Sequence, residues 1–257
     1  MVQPKIASNT EWKVWGRLDP LWGVASWPGR ERDGATPWTD EEFYALGSDW
    51  HDFDSAWRKS GRDGSGTVLE IGCGAGRMTR MLSGTFAKVV ATDVSEDMIA
   101  YGRARVNQEN VEWRVSNGAT LPADDGSVDA VFSCHVLQHF PSNAAQLQNF
   151  AEMHRILRTG GSIFVHIPMH AFPESNASFR RFARAAYATY LKVGKAAIAL
   201  RKLKMIMGGR PFMRGTSYEM QRLIDDVGKL GFRDVSVSMV NVGDARVVHP
   251  CIYGRKA

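Results

Sequence analysis

Glu70, Gly72, Gly74 and Gly76 close an apolar run that starts at Val68, and Asp93 follows 23 residues beyond Glu70, at the end of a second apolar run from Lys88. Glycines at this spacing let the backbone turn sharply and approach a ligand. An acid at the end of the neighbouring strand can accept hydrogen bonds from both hydroxyls of a ribose. Glu70 puts a carboxylate in an apolar strand, a costly burial unless a cation or donors pair with it, and a positively charged ligand would be such a partner. His135 and His139, four apart beyond the apolar run Val128 to Ser133, offer imidazoles able to take a proton from a reacting group. The competing reading is that the glycine turn is a tight connection binding nothing and that both histidines only line a helix start. Two histidines at this spacing can also ligate a metal, but no cluster of nearby acids completes a site, so no metal is expected.

These residues need a sheet to position them. Val68 to Ile71 reads as a buried strand feeding a helix from Arg77, and Arg77 stands where a dinucleotide fingerprint would have its third glycine. Beyond Asp93 the pattern alternates. Ser95 caps a helix to about Val106, and Val111 to Val115 is a strand followed by the turn Ser116-Asn117-Gly118. Val128 to Ser133 is the next strand, Ser142 caps a helix to about Leu157, and the turn Arg158 to Gly161 leads into the strand Ser162 to Ile167. Thr216 or Ser217 then caps a helix to Leu230, before strands over Val235 to Met239 and Arg246 to Tyr253.

Glu70-x-Gly72-x-Gly74-x-Gly76 with Asp93 resembles the first two motifs of the class I S-adenosylmethionine-dependent methyltransferases, strongly between Thr67 and Pro168 and weakly in the last strands. The resemblance implies an α/β, Rossmann-like fold: a seven-stranded, mostly parallel sheet with helices on both faces and its last strand inserted antiparallel between the fifth and sixth. It implies S-adenosylmethionine as cofactor, held by Glu70, Gly72, Gly74, Gly76 and Asp93, with Asn117 and Gly118 at the adenine. Asn117 stands where the family usually has Asp, and its amide oxygen can still accept from the adenine amine. The alternative is that Asn117-Gly118 is only a turn.

Nucleic-acid amino-methyltransferases of this fold carry Asn/Asp-Pro-Pro-Tyr after the fourth strand; Ser133-Cys134-His135-Val136 stands here instead, so no specific nucleic-acid partner is expected. A methyl on a sulfonium is already activated, so the protein must mainly align the attacking atom. A hydroxyl acceptor also needs a base, with His135 the candidate and His139 sharing or supporting that role. The expected acceptor is a small molecule or glycan, methylated on a hydroxyl of a sugar, glycan or secondary metabolite. The alternatives are C- or N-methylation of a quinone- or lipid-type acceptor at a membrane surface, and a cofactor-binding module without catalysis.

Two stretches lie outside this frame. Residues 1–66 hold seven of the eight tryptophans, read as short turns and extended pieces around Trp12, Trp15 and Trp22, a capping box at Thr39 to Glu42 opening a helix to about Leu46, and a helix over Asp49 to Ser60. The tryptophans either pack this extension onto the methyltransferase domain expected over residues 67–257 or cap the acceptor pocket. A helical insert at about 170–215 carries ten Lys and Arg against Glu174, so the rest of a chain of net charge +5 is slightly acidic. Its apolar stripe suits a packed helix with a solvated face, a lid, an oligomer contact, or a peripheral contact with anionic lipid or an acyl carrier. Three scattered cysteines suggest neither disulfides nor zinc, and with no leader or long apolar run a cytoplasmic protein is expected.

Overall fold

The structure is a computed structural model that describes residues 8–62, 64–171, 189, 213, 215–243 and 247–257. The basic insert lies almost wholly outside the described residues, so the readings placed on it are not tested by the fold. Seven strands form one sheet: β1 Thr67–Ile71, β2 Lys88–Asp93, β3 Val111–Val115, β4 Val128–Ser133, β5 Leu157–His166, β8 Phe232–Val242 and β9 Val247–Lys256. Their order is β3-β2-β1-β4-β5-β9-β8, with β9 antiparallel to both neighbours and the first five strands parallel. This is the topology that the resemblance implies. The order reverses between β1 and β4, and a crevice opens at such a switch point, at the carboxyl ends of the strands.

Alternation along the central strands sends side chains to two separate cores. Leu69, Ile71, Val131, Ile163 and Val165 face one side, where they meet Phe150, Met153 and Ile156 of helix α7 (Asn143–Ile156) and Leu223 and Val227 of α8 (Met220–Lys229). Val68, Ala130, Phe132 and Phe164 face the other, against α4 (Trp50–Ser60), α5 (Arg77–Ser83) and α6 (Glu96–Arg105). Trp50, Phe53 and Trp57 of α4 repeat at helical spacing and are buried. The Trp57 indole stacks on Phe132 and Phe164 and donates to Ser162 Oγ at 3.1 Å, so its polar edge is satisfied. Burial of each such side chain contributes on the order of ~2–3 kcal/mol.

The N-terminal segment departs from the sequence reading. Where turns and extended pieces are expected, Ser8–Leu18 forms α1 and Pro20–Val24 forms α2. Asp19 caps α2 by accepting from the Trp22 N–H, and Pro20 occupies its first turn, where no N–H partner is lost. Gly16 and Gly23 look like breakers in the sequence but are close-approach positions. A Cβ on Gly16 would overlap Ser95 at the start of α6, and one on Gly23 would come within 3.1 Å of Met98. Helix α3 (Asp40–Ala45) does open with the capping box of Thr39 and Glu42.

Two further boundaries differ. Strand β5 begins at Leu157, so the expected turn Arg158 to Gly161 runs within it, with Gly160 at φ 80° and a register shift between Val128 and Ala130 on β4. Helix α8 begins after Glu219, because Thr216 is engaged elsewhere: its hydroxyl donates to the Gln138 carbonyl and accepts from Gln146. Tyr218–Glu219 instead forms a short strand, β7, paired with β6 (Met169–His170). No helix among the described residues is long and apolar enough to cross a membrane.

Candidate active site

A cavity of about 860 Å³ lies at the ends of β1, β2 and β4, beneath α1 and α2. Its inner half is built by the turn after β1. Gly74 sits at φ 52°, a conformation that side chains disfavour, and a Cβ there would lie 2.5 Å from Val24 of α2. The Gly74 N–H donates to Asp93 Oδ2 at 2.9 Å and the Ser95 N–H donates to Asp93 Oδ1 at 2.9 Å, so one carboxylate ties the ends of β1 and β2 together. Burial pushes the Asp93 carboxyl above its ordinary range, and these N–H donors oppose that rise. Each carboxylate oxygen has a second lone pair, which suits the two hydroxyls of a ribose. Val94, Met98, Leu121 and Phe140 continue the wall as an apolar surface. The Asp93 acceptors and this apolar wall fit S-adenosylmethionine.

Gly72, Gly74, Asp93, Gly118, His135 and His139 share this cavity; Glu70, Gly76 and Asn117 do not line it. Glu70 is buried at 3% exposure and accepts from Thr79 Oγ1 of α5 at 2.6 Å. Burial raises its carboxyl to about 7, with the Thr79 hydrogen bond and the Arg77 charge pulling the other way. Gly76 packs on the Trp113 ring, which leaves 2.8 Å for a Cβ; this glycine serves packing. Asn117 Oδ1 accepts from the Ala119 and Thr120 N–H groups, which fits the turn reading of Asn117-Gly118. The Asn117 backbone carbonyl accepts from Asn9 of α1 at 2.6 Å, and that bond fastens the N-terminal helix to the turn after β3.

The outer half is aromatic and imidazole-rich. Trp12 of α1 meets His139 edge-on, ring centroids 4.8 Å apart, and Trp27 and Leu46 extend the apolar wall. Of the seven early tryptophans, then, Trp12, Trp27 and no others line the cavity, while Trp15, Trp50 and Trp57 are buried. His135 lies within electrostatic reach of His139. It sits at φ 60° just past β4, its ring 4.4 Å from that of His166 on β5 and 4.9 Å from that of His249 on β9. Burial, then the neighbouring His249 and Arg77, lowers the His135 imidazole to about 3, which leaves it neutral and a weak proton acceptor. The His166 imidazole is lowered to about 2 for the same leading reason. Burial also lowers His249, while the Asp49 carboxylate holds it up. His249 carries no sequence signal; only the insertion of β9 beside β5 brings it to the cavity.

Residues 69–165 match the profile of the family described as "Methyltransferase domain". The chain is 27% identical over 215 residues to demethylmenaquinone methyltransferase of Tropheryma whipplei, covering 78% of this chain and 82% of that one. It is 37% identical over 113 residues to a probable S-adenosylmethionine-dependent methyltransferase of Mycolicibacterium smegmatis, covering 44% of this chain and 40% of that one. Among solved structures, magnesium protoporphyrin IX methyltransferase from Synechocystis with bound S-adenosylhomocysteine superposes with a TM-score of 0.58 at 15% identity, covering 97% of this chain and 98% of that one, a likeness of fold. With the strand order, the glycine turn and the Asp93 carboxylate, these matches support a class I S-adenosylmethionine-dependent methyltransferase with S-adenosylmethionine as its cofactor.

Proposed function

We propose that this methyltransferase acts on a small, ring-bearing acceptor and places the methyl on a hydroxyl oxygen. The observation that carries the reading is the outer half of the cavity, where Trp12 and Trp27 supply flat apolar faces and His139 an imidazole within the same wall. Aromatic faces suit a sugar's C–H face or an aromatic ring. The cofactor supplies a methyl group on a sulfonium. Gly72, Gly74 and Asp93 would hold that cofactor, while Trp12 orients the acceptor ring and α1 excludes water. His139 takes the hydroxyl proton, because His135 is buried into a weak base.

A second reading, C-methylation of a quinone-type ring, is favoured by the similarity to the Tropheryma whipplei protein over most of its length. It too begins with a ring hydroxyl, whose deprotonation makes the adjacent carbon nucleophilic. The two are separated by incubating the enzyme with carbon-13-methyl cofactor and a panel of sugar, phenol and quinol acceptors. A transferred methyl with the carbon shift of an ether supports the proposal. A methyl with the shift of a ring carbon substituent replaces it with the second reading, and transfer to amines alone overturns both.

A further inference from the structure

Cys134, His135 and His166 each bring a ligand atom within 4.8 Å of the others, and Cys134 and His135 line the cavity. The sequence does not announce this group, since His139 and not His166 stands at metal-ligand spacing from His135. The sheet creates it: Ser133 on β4 registers with Val165 on β5, so the residues that follow, Cys134 just past β4 and His166 at the end of β5, are side by side. His135 then folds back through the left-handed region, at φ 60°. A non-glycine residue held there is uncommon and clusters at functional sites.

The imidazoles are short of partners. Among the described residues no hydrogen bond reaches the ring nitrogens of His135 or His249, and His166 Nδ1 accepts one bond, from the His135 N–H at 3.2 Å, on the long side. His249 closes another side of the group, its ring 4.9 Å from that of His135 and 5.2 Å from that of His166. Three imidazoles and a thiol gathered with so little hydrogen bonding is the arrangement that a metal ion completes.

We propose that Cys134, His135 and His166 bind one divalent transition-metal ion of the zinc class, with the fourth position open to the cavity. Mixed thiolate and imidazole ligands select such borderline ions, and three protein ligands with an open position is the pattern of catalytic zinc. Tetrahedral bonds of ~2.0–2.3 Å need the ligand atoms drawn closer than they stand, which rotation of the side chains supplies. His166 Nδ1 exchanges its long hydrogen bond for the ion. The Cys134 thiol, which burial keeps protonated, releases its proton to solvent as the sulfur–metal bond forms. Metal binding here is independent of which acceptor the enzyme uses.

The test is titration of tag-free, chelator-treated enzyme with Co²⁺, followed by Zn²⁺. The expected result is one equivalent bound, with a near-ultraviolet thiolate-to-cobalt charge-transfer band and strong visible bands of tetrahedral geometry, all displaced by Zn²⁺. Cys134→Ser, nearly isosteric, should abolish the charge-transfer band, and His166→Ala should weaken affinity by at least ~10–100-fold. A cooperative thermal transition shows that each variant is folded; if His166→Ala fails that check, His135→Ala replaces it. Absence of stoichiometric binding by the parent enzyme overturns the proposal. So does a charge-transfer band that survives in Cys134→Ser, which would assign the thiolate to Cys73 or Cys251.

Discussion

Asp93 joins the glycine turn to the start of α6 and is also the side chain proposed to hold the cofactor ribose. Its two oxygens hold the Gly74 and Ser95 N–H groups, and the residue lines the cavity proposed to seat the cofactor. Asp93→Asn keeps an acceptor for one of those donors but loses the charge. It should weaken S-adenosylhomocysteine binding by about 1.5–3 kcal/mol, read by calorimetry, as expected for loss of charge-assisted bonds; unchanged affinity removes Asp93 from the ribose. Glu70 behaves differently because its burial outweighs the Thr79 hydrogen bond and the Arg77 charge. Its folded-state pKa of about 7 lies above the ordinary carboxylate value, so the folded protein binds an extra proton, and stability is lost as pH rises through about 7. Glu70→Gln should therefore match the parent near about pH 4.5 and exceed it by roughly 3 kcal/mol near about pH 8, since each pKa unit is worth about 1.4 kcal/mol. Denaturant titrations at the two pH values check this, and an equal difference at both would show that ionisation is not the cause. At His139, substitution by Ala should lower the single-turnover rate by about 10²–10⁴-fold with S-adenosylhomocysteine affinity kept. Loss of affinity alone would make His139 part of the cofactor pocket.

At the scale of elements, the tryptophan-rich segment divides into two parts with different work. Helix α4 belongs to the sheet's core, through Trp50, Phe53 and Trp57, and its removal would unfold the domain. Helix α1 instead lies across the cavity mouth, held by the Asn9 bond to Asn117 and by Gly16 against α6, and it carries Trp12 to His139. Deleting residues 1–18 should leave a cooperative thermal transition while abolishing methyl transfer; full turnover in the truncated enzyme would make α1 a packing element only. None of this division was legible in composition, which shows seven tryptophans but not which face each covers. Gly16, Gly23 and Pro20 interrupt the apolar period, so the segment reads as turns, although two of them are the positions that let α1 and α2 come close to α6. Where caps are local the reading succeeded: Thr39, Ser95 and Ser142 each cap the helix that follows. At Thr216 it failed, because a long-range bond to Gln138 outcompetes the local cap.

For the whole molecule, the sheet was legible because every central strand alternates between two cores, and the glycine turn followed by Asp93 marks where the strand order reverses. What sequence could not supply is convergence at long range. His135, His166 and His249 come together only because β4, β5 and the inserted β9 are neighbours, and Trp12 meets His139 only because α1 folds back over the sheet. The same convergence changes chemistry: burial beside other imidazoles turns His135 from an ordinary base into one lowered to about 3. The central claim is that a single cavity seats the cofactor on the glycine turn and the acceptor between Trp12 and His139. A crystal structure of the enzyme with S-adenosylhomocysteine and a turned-over hydroxylated acceptor tests it most directly. The account predicts the ribose on Asp93, the acceptor ring against Trp12, and its hydroxyl within hydrogen-bond reach of His139 and in line with the cofactor sulfur. An acceptor bound on the far side of His135, away from Trp12 and His139, would contradict it.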